Sequence, residues 1–163
     1  MRYEGLLYRA LNPIYAREPL FGAGAEKYGG RFNRIGRPAL YTSLHPDTAL
    51  REANQVGTLQ PTTLVAYDAD IAPLLDGRDP KALTPFGLEP ADLNDPAWRD
   101  RMLRREAVPT QELAEAAIGD GYAGILVPSF ARGARPDAIN LVLWRWDGAL
   151  RLVDDDNRLG IAP

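Results

Sequence analysis

Within residues 28–52, YGGRFNRIGRPALYTSLHPDTALRE, three side chains have types and spacing that could do chemistry together: Arg31, Tyr41 and Glu52. Arg31 follows Gly29 and Gly30, and glycine permits backbone conformations and close ligand approach that other residues do not. An arginine there can hold a phosphate through two parallel charge-assisted hydrogen bonds. The competing reading is a glycine turn followed by a solvated arginine, because GGR matches neither the G-x-G-x-x-G nor the P-loop pattern. Tyr41 can stack on a flat ring while its hydroxyl finds a polar partner, or it can be a half-buried strand aromatic. Glu52 can be a carboxylate facing a cationic reaction centre, or a solvated helix residue paired with Arg51. Ser129, at the end of ILVPS, suits a hydroxyl projecting into a cleft as well as an ordinary turn. It is not read as a nucleophile, since G-x-S-x-G is absent and His45 offers no triad partner.

These side chains must be carried by definite elements. GLLYRAL (5–11) reads as a first strand, although its apolar run also suits a helix. Residues 12–30 contain Pro13, Pro19 and four glycines, which predicts a long loop with at most one helical turn. PALYTS (38–43) is a short buried strand. HPDTALREANQVG (45–57) is a helix, with Pro46 at its first position, Asp47 at its positive end and Gly57 as its stop. Ala49, Ala53 and Val56 then share one face with Leu50 beside them, and Glu52 lies next to that face. TTLVAYDAD (62–70) is the clearest strand. Residues 71–96, with five prolines, read as an irregular excursion. Two helices follow at 96–108 and 110–122, the second capped by Thr110 and ended by Gly119 or Gly121. RMLRRE in the first is read as the polar face of an amphipathic helix. Strands at 123–129 and 138–146 flank the turn FARGARPD, and LRLVDDDNRLG offers an edge strand and a solvated acidic tail. The expected architecture is a mixed α/β (α+β) single domain over residues 1–163.

Composition narrows the chemistry. The chain has no cysteine, which excludes disulfides, thiolate zinc sites and cysteine nucleophiles. Its single histidine, His45, excludes a multi-histidine metal site, so no metal is expected. A net charge of −3 provides no general basic field for direct nucleic-acid binding. MRYEGLLYRA predicts neither a signal peptide nor a membrane anchor, and a cytoplasmic protein is the simplest reading.

YGGRFNRIGRPALYTSLHPDTALRE resembles the signature block of the RES-domain family, the toxin half of RES–Xre toxin–antitoxin modules, in which an arginine, a glutamate and a serine recur. GILVPSFARGARPDAINLVLW is similar to the family's second block, where a serine precedes a polar turn and an asparagine opens the last core strand. Phe32 stands where a tryptophan is commoner, and NRIG replaces a more proline-rich turn. The resemblance implies a fold like that of ADP-ribosyltransferase toxins, NAD as substrate, and an Xre-type antitoxin encoded nearby as partner. It also implies Arg31, Tyr41, Glu52 and Ser129 as site residues, with Arg9 in YRA as a further ligand-binding arginine. The bond between ribose and nicotinamide has a cationic leaving group that departs neutral, so no general acid is required. Its transition state is like the oxocarbenium ion of glycoside hydrolysis. By this resemblance Arg31 and Arg9 would clamp the diphosphate, Tyr41 would stack on nicotinamide, Glu52 would face the developing cation, and Ser129 would hydrogen-bond the nicotinamide ribose or amide. The acceptor of ADP-ribose is left open between a protein target, water and phosphate. A non-catalytic nucleotide-binding or protein-interaction domain is the rival class.

Overall fold

A computed structural model describes residues 1–54 and 58–163. Among these residues the strands are β1 (Tyr3–Leu11), β2 (Leu40–Ser43), β3 (Thr63–Ile71), β4 (Leu74–Asp76), β5 (Gly124–Pro128), β6 (Ile139–Leu143) and β7 (Leu150–Leu152). They form one seven-stranded sheet in the order β4-β5-β6-β2-β1-β3-β7. Every pairing is antiparallel except β4 with β5. The helices are α1 (Ala23–Tyr28), α2 (Pro46–Ala53), α3 (Pro80–Leu83), α4 (Trp98–Leu103) and α5 (Pro109–Gly119). The mixed α/β expectation holds.

Both faces of the sheet are covered, which is why GILVP reads as an unbroken apolar run rather than an alternation. Leu126, Leu40, Leu141, Leu7 and Tyr67 belong to one core, and Ile125, Val127, Val142 and Phe32 belong to the other. Helix α5 closes the second core with Leu113, Ala114 and Ala117. Phe32, at the position where a tryptophan is commoner, is 2% exposed within it.

The sheet changes character between β1 and β2. Strand β1 pairs with β3 along its whole length, from Tyr3↔Ile71 to Leu11↔Thr63, but meets β2 only at Tyr8↔Ser43. The strands diverge on either side of that contact, and α2 packs against both. Pro46 opens α2 as expected, with His45 as its N-cap, and the helix ends at Ala53 with Asn54 as C-cap. The expected stop at Gly57 and the contribution of Val56 fall outside the described residues. The inward face of α2 also differs from expectation. Thr48 and Ala49 are buried and Glu52 is half-buried, whereas Ala53 is exposed at the edge of a cleft. Glu52 therefore sits on the inward side of the helix rather than merely beside it.

Other expectations are corrected. The segment 12–30 holds two helical pieces: a 3₁₀ turn at Pro13–Tyr15, capped by the Asn12 side chain, and α1. Strand β4 lies in what reads as an irregular excursion, where three residues between Pro73 and Gly77 are too few for a periodic signal. Helix α4 is shorter than its 96–108 expectation, because Arg105 adopts a left-handed conformation (φ 58) just after it. Thr110 does not cap α5; Val108 holds that position and Pro109 starts the helix. The acidic tail is organised rather than merely solvated. The Asp154 carboxylate accepts from the amides of Arg158 (2.7 Å) and Leu159 (3.0 Å), and Leu159 packs on the first core. Among the described residues no helix is long and apolar enough to cross a membrane.

Candidate active site

The loop bearing Arg31 is a tight turn closed on itself: the Gly30 amide donates to the Asn33 carbonyl at 2.8 Å, and the two residues form an isolated antiparallel bridge. Asn33 is fully buried and locks the turn from inside. Its Nδ2 donates to the carbonyls of Ala25 (2.8 Å) and Arg37 (3.0 Å), and its Oδ1 accepts the Tyr41 hydroxyl proton at 2.6 Å. The same hydroxyl accepts from the Phe32 amide at 3.0 Å. Burial pushes the Tyr41 phenol well above its usual range, with the Phe32 amide and Arg31 opposing. Tyr41 is thus a neutral hydrogen-bonding residue whose hydroxyl is committed to the loop. This contact also explains Gly30. A Cβ there would lie 2.5 Å from the Tyr41 hydroxyl oxygen and 2.7 Å from Asn33 Oδ1, so the glycine serves packing rather than ligand approach.

Arg31 projects from this turn, whose backbone is held by Thr110 Oγ1 donating to the Arg31 carbonyl (2.5 Å) and Gln111 Nε2 donating to the Gly30 carbonyl (2.9 Å). The guanidinium is half-buried. Nη1 donates to the carbonyls of Leu93 (3.0 Å) and Asp95 (2.7 Å), and the group lies over the rings of Phe130 (5.1 Å to the centroid) and Trp98 (5.9 Å). Among the described residues no carboxylate forms an ion pair with it. Burial lowers its pKa, and the charges of Asp95 and Glu52 partly offset this. A cation desolvated in this way, with carbonyls and rings for partners, favours an anion close by.

Glu52 is held from β6 and from the residue that follows β5. The Ser129 hydroxyl donates to Oε1 at 2.5 Å, and Asn140 Nδ2 donates to the same oxygen at 2.6 Å. Asn140 Oδ1 in turn accepts from Ser43 Oγ at 2.7 Å, across the β2–β6 register pair Ser43↔Asn140. The acceptor-only carboxylate fixes which end of the Asn140 amide faces it. Ser129 directs its proton to Glu52 and not into the cleft, while its oxygen accepts from the Ala131 amide at 3.3 Å.

Two adjoining cavities share Tyr41, Glu52, Ala53 and Asn140. The larger, about 480 Å³, adds Arg31, Phe32, Trp98, Arg99 and Phe130. The smaller, about 290 Å³, adds Tyr8, Arg9 and Ser43 where β1 and β2 diverge. Arg9 stands apart from Arg31 in this arrangement. Its Nη1 donates to the carbonyls of Pro19 (3.2 Å) and Phe21 (3.5 Å) in the following loop. Among the described residues no group of three or more His, Cys, Asp or Glu side chains is placed to hold a metal ion.

Comparison with known proteins matches the RES domain model to residues 6–160. The chain belongs to the RES domain family. A curated RES relative, "Toxin Res" of Photorhabdus laumondii subsp. laumondii, is 40% identical over 47 residues, and the match spans 29% of this chain and 30% of that protein. Among solved structures, the crystal structure of the M. tuberculosis MbcT–MbcA toxin–antitoxin complex is similar in fold. Its TM-score is 0.64 at 21% identity, covering 94% of this chain and 84% of that one.

In this RES chain Arg31, Tyr41 and Glu52 line one cavity, Ser129 touches Glu52, and Arg9 lines the neighbouring one. The residues given no role from sequence are Asn33, Trp98, Arg99, Phe130 and Asn140, the last noted only as the asparagine that opens the final core strand. Asn140 was visible as the polar residue near the start of an otherwise apolar strand, INLVL, where a half-buried amide calls for a partner. Trp98 and Arg99 carry no local signal, because an aromatic and an arginine at a helix start are ordinary surface composition.

Proposed function

We propose that this RES chain is the toxin of a toxin–antitoxin module and cleaves the nicotinamide–ribose bond of NAD. The carrying observation is that a half-buried Arg31, gripping carbonyls and rings instead of a carboxylate, lines the same cavity as Glu52. A substrate with a diphosphate at one point and a cationic ring at another meets complementary charge at both. In the proposed step the C1′–N bond breaks and its electron pair leaves with nicotinamide, which departs neutral. The ribose carries the positive charge, and Glu52 stabilises it electrostatically. Ser129 and Asn140 hold the carboxylate in place before the charge forms, so no reorganisation is needed at the moment of reaction. Tyr41 offers its ring to the nicotinamide, while its hydroxyl holds the Arg31 turn. The acceptor that reaches C1′ next is a protein side chain, water or phosphate.

Incubating purified protein with NAD and measuring free nicotinamide tests the cleavage. Absence of release above a no-enzyme control overturns it. Radiolabelled NAD added to a cell lysate then separates the acceptors by whether label ends on protein. An Xre-type antitoxin, the partner of this reading, should suppress nicotinamide release when bound. A complex that turns over NAD as fast as the free chain would argue against inhibition by occluding the cleft.

A further inference from the structure

The larger cavity contains a second guanidinium that the reading above does not use. Arg99 is exposed at the start of α4 and stacks on Trp98 with its guanidinium carbon 4.9 Å from the ring centre. Arg31 stacks on the same ring at 5.9 Å, and both arginines line the cavity that contains Glu52. One indole therefore holds two cations toward one space. Among the described residues neither arginine forms an ion pair. The Asp95 carboxylate pairs with Arg101 at 3.4 Å and accepts from the Ala97 amide at 2.8 Å, so it acts on Arg31 through its charge and hydrogen-bonds it only through its backbone carbonyl. Glu52, the one acid lining the cavity among the described residues, is held by Ser129 and Asn140. The charge of Arg99 lowers the Arg31 pKa, as expected of like charges within reach of each other.

Two converging cations that form no ion pair among the described residues are best satisfied by an anion that offers each its own phosphate, as two linked phosphates do and a single one does not. We infer that Arg99 is the second prong of a diphosphate grip shared with Arg31 across Trp98, and that it sets specificity for diphosphate-bearing ligands over monophosphates. This rests on the proposed reading of the cavity as a dinucleotide site. The division of labour differs between the two. Arg31 is fixed by carbonyls and rings, whereas the exposed Arg99 stacks on Trp98 and forms no side-chain hydrogen bond or ion pair among the described residues, so it can close onto a ligand as it enters. Guanidinium also suits the role better than ammonium, because it can stack and donate in a plane at once.

The test is calorimetric binding of ADP-ribose, ADP and AMP to wild-type protein, Arg99→Ala, Arg99→Lys and Arg104→Ala, an arginine on the same stretch that does not line the cavity. Arg99→Ala should weaken ADP-ribose and ADP about tenfold, the scale of losing one charge-assisted contact at a partly exposed site. AMP should weaken less, so the ADP/AMP preference falls. Arg99→Lys should recover only part, and Arg104→Ala should change affinity less than about twofold. ADP-ribose binding as tight in Arg99→Ala as in wild type overturns the assignment, as does an unchanged ADP/AMP ratio or a wild-type chain that binds none of the three. Nicotinamide release, measured alongside, separates the two claims. Arg99-dependent binding without release leaves the grip standing and removes the cleavage. Release with the Arg99→Ala KM for NAD unchanged does the reverse.

Discussion

Ser129 and Glu52, 77 residues apart in the chain, are joined by a 2.5 Å hydrogen bond in which the serine hydroxyl donates to Oε1 of the carboxylate. With Asn140 donating to the same atom, one carboxylate oxygen is fixed from β6 and from the segment following β5. In Glu52→Gln the amide oxygen can keep both donors while the charge is lost. On the proposed mechanism this variant should release nicotinamide about 10²–10³-fold more slowly. ADP-ribose affinity and thermal midpoint should stay near wild type. Wild-type turnover in this variant would return Glu52 to a structural role.

Ser129→Ala and Asn140→Ala each remove one donor from Oε1. Each should lower kcat about tenfold, in line with the typical ~1.5–3 kcal/mol of a hydrogen bond to a charged group. The double variant should lose much less than the product of the two, because the donors act on one atom. KM for NAD should move little in either single variant. Rescue by Ser129→Thr, which restores the hydroxyl, would mark the loss as positional; equal loss in Thr and Ala would point to packing instead.

Tyr41→Phe keeps the ring and deletes the hydroxyl that links the Phe32 amide to Asn33 Oδ1. Two buried polar groups are left short of a partner, at a cost of about 1–3 kcal/mol in stability. Since those groups shape the Arg31 turn, KM for NAD should rise more than kcat falls. Urea unfolding and steady-state kinetics read the two effects separately. If KM is unchanged, the hydroxyl does not transmit to Arg31.

Arg37 donates from Nε and Nη2 to the two oxygens of Glu115 at 2.9 Å each, tying the end of the Arg31 turn to α5. That pairing holds the Glu115 carboxyl below its usual range, with partial burial opposing and the Arg34 charge adding to it. A depressed folded-state pKa stabilises the fold above the unfolded value and is lost as pH falls through the folded one. The pair is partly exposed, so the effect should be about 0.5–1 kcal/mol. Wild type should exceed Glu115→Gln by that amount in urea unfolding near pH 7, with the gap closing below about pH 4. A gap that does not narrow as pH is lowered through the acid range would mean the contact is steric rather than ionic.

Much of the scaffold was legible in local composition. The β-branched run of β3, the apolar run of β5, and Pro46 with Asp47 at the start of α2 each state their element within a few residues. What was illegible depends on partners distant in sequence. Strand β4 exists because Leu74, Leu75 and Asp76 find β5 to pair with, not because three residues prefer extension. Thr110 has a capping side chain, but its hydroxyl goes to the Arg31 carbonyl. At the site, Arg31, Tyr41 and Glu52 stood out by type and spacing and Ser129 by its place at a strand end, and resemblance added Arg9. Asn140 and Trp98 gain meaning only when the sheet brings one against Glu52 and a helix start brings the other against Arg31. The glycine before Arg31 was visible for the wrong reason, since its open space is filled by the Tyr41 hydroxyl.

The span between Glu52 and Asn140, 88 residues, has a consequence during protein synthesis. At roughly 5–20 residues per second, a ribosome that has just added the glutamate needs roughly 4–18 s to add the asparagine that holds it. Strand β2 waits over the same interval for its partner β6. A nascent chain shorter than this has the acid but not its holder, so translation cut short leaves the site incomplete, and the ribosome itself sets a delay before the complete site exists.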